Sequence, residues 1–138
     1  MNALRDEARR WAMIARVRAL RVRRREVALA SAQRAVDAAH SELEACKNQL
    51  SHHGAQREHL LARCAHGNAD AQLWRGALVQ HRLRDIQLKE AQAKAQAGLV
   101  RAVGERGQTM TMLQREMLAH DDARKHVREI KARLREET

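Results

Sequence analysis

Large apolar residues recur every seven positions along the first half of the chain, and this repeat restricts the folds that are open to it. Five of them follow one another without a gap: Val22, Leu29, Val36, Leu43 and Leu50. Small residues stand three places after the middle three: Ala32, Ala39 and Cys46. Such a repeat is typical of a helix that packs against another helix along a narrow seam. We therefore predict that the first half is one long helix of a coiled coil, and extending the repeat backward adds Trp11 and Leu4 to the seam.

The composition favours the same kind of fold. The 138 residues include no Pro, Phe or Tyr and only two Trp, Trp11 and Trp74. With so few bulky side chains, the chain cannot fill a thick hydrophobic core. It is instead rich in Ala, Leu, Arg, Glu and Gln, which is the composition of long helices and coiled coils.

The second half repeats the apolar pattern less regularly. Its apolar residues keep spacings of three and four over a long stretch: Leu99, Val103, Met110, Leu113, Met117, Val127, Ile130 and Leu134. This spacing predicts a second long helix that returns alongside the first.

The segment CAHGNAD, residues 64–70, separates the two halves. In it, Gly67 can end one helix and Asn68 or Asp70 can cap the next. SHHG, residues 51–54, is the rival turn, but the later turn leaves two helices of nearly equal length. The sequence thus predicts an all-α fold: one domain, 1–138, that forms a long antiparallel two-helix coiled-coil hairpin. The helices are expected at about 3–65 and 71–136, with the turn at about 66–70.

A turn centred near residue 68 also predicts a register, in which residue n faces roughly residue 136 − n. Gly98, Gly104 and Gly107 then face the Ala-rich region 29–38. Because Gly inside a helix costs about 1 kcal/mol relative to Ala, a close approach of the two backbones there would explain these glycines. The alternative is a kink or a weak point in the second helix.

Positive charge is concentrated at the N-terminal end. The formal net charge is +10, and residues 1–25 hold nine Arg against Asp6 and Glu7. Six of these arginines fall within residues 16–25. A basic end indicates an acidic partner surface, which the charge alone leaves open as phosphate, lipid headgroup or carboxylate-rich protein.

A second apolar strip lies among these arginines. With residues placed 100° apart around the helix, Met13, Val17, Leu20 and Val27 share a side nearly opposite the seam. A two-helix hairpin has nothing to cover this side, and an apolar strip with an Arg rim is typical of a surface that binds another protein. Two alternatives stay open: the second helix changes sides here, or the terminal segment is loosely ordered.

Nucleic acid and membrane are the competing partners. Nucleic acid is disfavoured because apolar residues penetrate the basic segment, no Asn lies within it to contact bases, and no aromatic platform suits single strands. A membrane-surface helix is disfavoured because the charges surround the cylinder. No apolar run approaches the roughly 20 residues that would span a bilayer, so we expect no membrane insertion.

The sequence also predicts that the chain is not an enzyme and needs no cofactor or metal. The candidate metal ligands do not match any zinc-binding spacing: His52, His53, His59, Cys64 and His66. No nucleophile motif or phosphate-binding Gly-rich loop is present. Two cysteines make no disulfide framework and no signal-peptide segment opens the chain, so a cytoplasmic location is expected.

The stretch RVRALRVRRREVALASAQRAV, residues 16–36, resembles the basic opening helix of a known family. It is similar to that of the central-stalk proteins of bacterial type III secretion, the YscO/FliJ group, which are small, basic, cytoplasmic two-helix hairpins. The resemblance implies binding to the hexameric secretion ATPase, with the open end of the hairpin in or near the central opening of the ring. It also implies contact with the export-gate protein and with substrate chaperones.

The resemblance assigns partner binding to the basic N-terminal segment. Its residues there are Arg16, Arg18, Arg21, Arg23, Arg24 and Arg25. The hairpin would place a C-terminal basic group beside them, namely Arg124, Lys125, Arg128, Lys131 and Arg133. The alternative functions are a generic coiled-coil adaptor or regulator, and a basic helical nucleic-acid-binding protein.

Overall fold

The computed structural model describes residues 2–65 and 70–137, which form two helices and no strand. Helix α1 spans Asn2–Ala65 and helix α2 spans Ala71–Glu136. The two helices pack against each other in antiparallel, so the predicted all-α helical hairpin is confirmed. No described helix is long and apolar enough to cross a membrane.

The connection between the helices lies close to its predicted place. Helix α1 continues without a break through residues 51–54, so the rival turn there is excluded. Of the predicted turn at about 66–70, residues 66–69, including Gly67 and Asn68, lie outside the described residues. Asp70 is described. Its carbonyl oxygen accepts a hydrogen bond from the Trp74 N–H at 3.1 Å, with the i+4 to i spacing of an α-helix, at the start of α2.

The hairpin divides into two compact units. The terminal unit comprises Met1–Arg34 together with Gly104–Thr138, and the middle unit comprises Ala35–Val103. Each unit therefore contains one stretch of α1 and one of α2, and each has its own part of the apolar seam.

In the middle unit, the seam follows the seven-residue repeat. Val36, Leu43 and Cys46 are all buried, as the repeat predicts. Leu43 is only 3% exposed. Four buried apolar residues of α2 complete the core of this unit: Ala71, Leu78, Leu88 and Ala102. Burial of these side chains on one narrow face of each helix stabilises the pair.

In the terminal unit, fewer residues of the seam are fully buried. Ala123 and Ile130 of α2 are buried, while Trp11, Val22 and Leu29 of α1 are half-buried at their predicted positions. The Trp11 ring stacks on the His126 ring, with 4.2 Å between centroids and 19° between planes. Stacking of this kind fixes the two helices against each other near the chain ends.

At three contacts between the helices, the register of the hairpin agrees with the predicted one to within two residues. Arg18 contacts Ala119, where the rule predicts residue 118, and Arg25 contacts Met112, where it predicts residue 111. In the middle unit, His53 contacts His81, where the rule predicts residue 83. The position of the predicted turn therefore indicates which residues of the two helices lie opposite each other.

Part of the predicted seam of α2 is wrong. Leu99 and Leu113 do lie half-buried on it, but Val103, Met110 and Met117 are exposed. The seam passes instead through the residue just before each of these three: Ala102, Thr109 and Glu116. One residue turns a helix by about 100°, so the larger neighbours face outward.

The predicted close approach at the glycines is also wrong. A Cβ atom added to Gly98, Gly104 or Gly107 would meet no heavy atom within 4 Å. Gly104 and Gly107 are exposed. These glycines therefore do not serve backbone packing, and they weaken the intrinsic helix propensity of α2.

Candidate protein-binding surface

The strip of apolar residues among the arginines is exposed on α1 of the terminal unit. Met13 is 67% exposed, Val17 42%, Leu20 58% and Val27 68%. We call these four residues the outer strip. Trp11, Val22 and Leu29, on the other side of the same helix, lie in the seam. Since α2 packs against the opposite side of α1, it leaves the outer strip exposed and available to another molecule.

The outer strip borders two shallow grooves. One is lined by Leu20, Arg23, Arg24 and Val27. The other is lined by Met13, Ile14, Val17, Arg18 and Arg21. In both, apolar side chains alternate with guanidinium groups, so an occupant would meet hydrocarbon and positive charge together.

Ile14 was not identified from the sequence as part of this surface. It is exposed and lines the same groove as Met13 and Val17. Its position three residues before Val17 and four before Arg18, where side chains are neighbours on a helix surface, is the signal that could have placed it there. The apolar area near the N-terminal end is therefore larger than the helical periodicity predicts.

Two of the six candidate arginines face α2. Arg18 Nη1 donates a hydrogen bond to the carbonyl oxygen of Ala119 at 2.6 Å and lies 3.9 Å from an Asp122 carboxylate oxygen. Arg25 Nη1 lies 3.2 Å from the Met112 sulfur. Both arginines occupy positions of the seven-residue repeat, four residues before Val22 and Leu29 respectively. Their long side chains replace apolar residues in the seam, which the sequence interpretation did not anticipate.

The other four arginines are open to solvent. Arg16, Arg21, Arg23 and Arg24 are exposed. A third groove brings Arg21 and Arg24 together with Arg25, Ala28 and Glu116 of α2. Three guanidinium groups around a single carboxylate leave a local excess of positive charge, which suits a carboxylate-bearing partner.

The C-terminal basic group belongs to the same unit. All five of its members are exposed: Arg124, Lys125, Arg128, Lys131 and Arg133. The stacking of His126 on Trp11 places Arg124 and Lys125 at the level of the N-terminal part of α1. The terminal unit holds 18 Lys and Arg against 10 Asp and Glu, a net +8 of the total +10. The middle unit is thus nearly neutral.

The predicted metal candidates do not converge in the described part of the chain. Among residues 2–65 and 70–137, no group of three or more His, Cys, Asp or Glu side chains could hold a metal ion. His66 lies outside the described residues. Cys46 is a buried free thiol in the seam, and Cys64 is half-buried and also free.

Comparison with known proteins gives no match. No protein-family model, no curated protein and no solved structure matches the chain. Its function is therefore inferred from the hairpin and from the surface of the terminal unit.

Proposed function

We propose that this protein is a non-enzymatic coiled-coil adaptor that binds another protein through its terminal unit. The observation that carries the proposal is the exposure of the outer strip on the side of α1 that faces away from α2. An apolar strip with 3–4 spacing matches a helix or a groove of a partner protein. Four exposed arginines around it add a preference for acidic residues.

At a finer level, we propose a central-stalk role in a bacterial type III secretion system. The protein would bind the hexameric secretion ATPase, couple it to the export-gate protein and contact substrate chaperones, all at the cytoplasmic side of the apparatus. Three features support this assignment: the resemblance of residues 16–36 to the YscO/FliJ group, the helical hairpin, and the concentration of charge in the terminal unit.

The apolar and charged parts of the surface are expected to act differently. Burial of the outer strip would supply affinity, because apolar area is removed from water. The exposed arginines would steer the partner and orient it, which acts mainly on the association rate. The two contributions can therefore be separated by kinetics.

The first experiment tests the outer strip. Val17→Ser together with Leu20→Ser should raise the dissociation rate from the immobilised ring ATPase by at least about tenfold, since exposed apolar anchors act on that rate. The matched control is Val79→Ser together with Leu83→Ser, which removes similar apolar area from exposed positions of the middle unit. Equal losses in the two double variants would remove the basis for the outer strip as the binding site.

The second experiment tests the arginines. Replacing Arg21, Arg23 and Arg24 by Gln should slow association and flatten its dependence on salt, while the dissociation rate changes little. Arg75, Arg82 and Arg84 of the middle unit supply the control substitutions. An unchanged association rate would show that the arginine cluster does not steer the partner.

The alternatives give different outcomes. A generic adaptor would not co-purify with the ring ATPase from a cell that contains a type III secretion system. A nucleic-acid-binding protein would retain a short DNA duplex at near-physiological salt, and its affinity would fall steeply as salt is added. Binding to the ring with no such retention supports the proposed function over both.

A further inference from the structure

A pair of buried histidines crosses the seam of the middle unit. The rings of His53 on α1 and His81 on α2 are stacked, with centroids 3.5 Å apart and planes within 2° of parallel. Each residue is only 7% exposed. The outer strip belongs to the other unit, so the proposed function gives this pair no role.

The hydrogen bonds of the pair are reciprocal. His53 Nε2 donates to the carbonyl oxygen of His81 at 2.8 Å, and His81 Nε2 donates to the carbonyl oxygen of His53 at 2.7 Å. A carbonyl oxygen only accepts, so each Nε2 must carry the hydrogen. In neutral imidazole the other ring nitrogen then has none, and this arrangement satisfies every donor of the two rings.

Protonation would disturb this arrangement. It would place a new N–H on Nδ1, and Nδ1 of His81 is buried with no hydrogen-bond partner. A buried donor without an acceptor is costly. Two imidazolium rings stacked at 3.5 Å would also repel each other at short range inside the seam.

Most of the charged groups around the pair are cations. Arg57 lies one turn beyond His53 on α1, and Arg82, Asp85 and Lys89 follow His81 on α2. Asp85 is the carboxylate among these four, and Lys89 Nζ binds it at 2.9 Å. That hydrogen bond is the main reason that the pKa of Asp85 is lowered; partial burial opposes the shift, and Lys89, His53 and Arg57 add smaller contributions as nearby charges. Three of these four neighbours are thus cations, and the one carboxylate, which would attract a charged His53, is bound by Lys89.

We propose that the His53–His81 pair is a pH-sensitive lock, which holds the two helices of the middle unit together when both rings are neutral and releases them locally at mildly acidic pH. An unfolded or opened histidine binds a proton below about pH 6.5. In the closed pair a hydrogen on Nδ1 of His81 would have no acceptor, so acid favours the opened pair and the contribution of the closed pair weakens as the pH falls.

Hydrogen exchange of the full chain at pH 8 and pH 5 tests the lock. After correction for the intrinsic exchange rate, protection of the amides around His53 and His81 should fall by about tenfold or more at pH 5, since up to one proton per ring drives the opening. Protection around Leu43, in the same unit, should fall much less. Equal loss of protection at both places would mean that acid destabilises the whole unit and not this pair.

Two kinds of variant separate the pair from other titrating groups. His53→Leu with His81→Leu leaves an apolar layer that should remain protected at both pH values. His81→Gln is a second test, because its side-chain amide can donate to the same carbonyl oxygen and does not bind a proton in this range. The matched control is His52→Gln, at the exposed neighbouring position, which should keep the full pH response. If the Leu pair or the Gln variant responds to acid as the parent does, the lock is overturned.

Discussion

Arg18 and Ala119 join the two helices of the terminal unit through a side chain and a backbone group. The guanidinium Nη1 of Arg18 donates to the carbonyl oxygen of Ala119 at 2.6 Å, in a seam position that an apolar residue would ordinarily occupy. An arginine that had been predicted to contact a partner therefore takes part in holding the hairpin together.

Substitution of Arg18 should reveal this structural role. Arg18→Ala removes a charge-assisted hydrogen bond and the packing of the aliphatic stem, and should lower the free energy of unfolding by about 1–2 kcal/mol. Arg16→Ala, at an exposed position two residues earlier, should change it by less than about 0.5 kcal/mol. Urea denaturation followed by circular dichroism measures both. Equal and negligible effects of the two substitutions would show that Arg18 does not contribute to the stability of the hairpin.

Substitutions in the seam and in the outer strip should also differ in their effect on the free energy of unfolding. Leu43→Ala removes a side chain that is 3% exposed and should cost about 2–3 kcal/mol, at the low end for core leucines because the seam is narrow. Leu20→Ala, at a position that is 58% exposed, should cost less than about 0.5 kcal/mol. A large loss for Leu20→Ala would show that the outer strip is covered within the protein.

Gly104 offers a stabilising substitution. Since a Cβ at this position meets no atom within 4 Å, Gly104→Ala should raise the free energy of unfolding by about 1 kcal/mol through better helix propensity. Gly107→Ala should act in the same direction, because that position is equally open. Thermal unfolding of the two variants checks this. A lower melting temperature would instead indicate that the helices approach closely at this level.

Asp85 should contribute to stability with a defined pH dependence. Its pKa is lowered, chiefly by the hydrogen bond from Lys89, so the folded chain holds the carboxylate form more readily than the unfolded chain does. The contribution is present above the ordinary carboxyl pKa and is lost as the pH falls through the lower folded value. Lys89→Gln should move the pKa of Asp85 back up towards its ordinary value. Carbon NMR titration of the Asp85 carboxyl measures this, and Lys94→Gln, which leaves the pair intact, is the control.

Much of the fold follows from local periodicity in the sequence. The repeat that runs through Val36 and Leu43 identifies the buried face of α1, because each seven residues complete nearly two helical turns. The lengths of the two halves then set the register, because only a short segment of sequence lies between Ala65 and Ala71. The exposed side that carries Met13 and Leu20 follows from the same geometry, because a single partner helix covers only one side.

Which face of α2 packs against α1 depends on the tertiary structure and could not be predicted from the sequence. Its seam uses small and polar residues such as Thr109 and Glu116, whereas the larger Met110 and Met117 lie one position away and face solvent. A pattern of apolar residues cannot identify such a seam, because the long side chains that fill it, among them Arg18 and Arg25, come from the opposite helix.

The histidine pair shows most clearly which features follow from the sequence and which depend on the tertiary structure. The sequence by itself determined two long helices, the side of α1 that α2 covers and the approximate pairing of the chain. The seven-residue repeat places His53, three residues after Leu50, on the seam and His52 off it, but it does not identify the residue that His53 contacts. Only the packing of α2 against α1 brings the ring of His81 to 3.5 Å from that of His53 and supplies both carbonyl acceptors. Contacts between residues 28 positions apart depend on rotation about the helix axes, and that rotation is fixed by the two helices together.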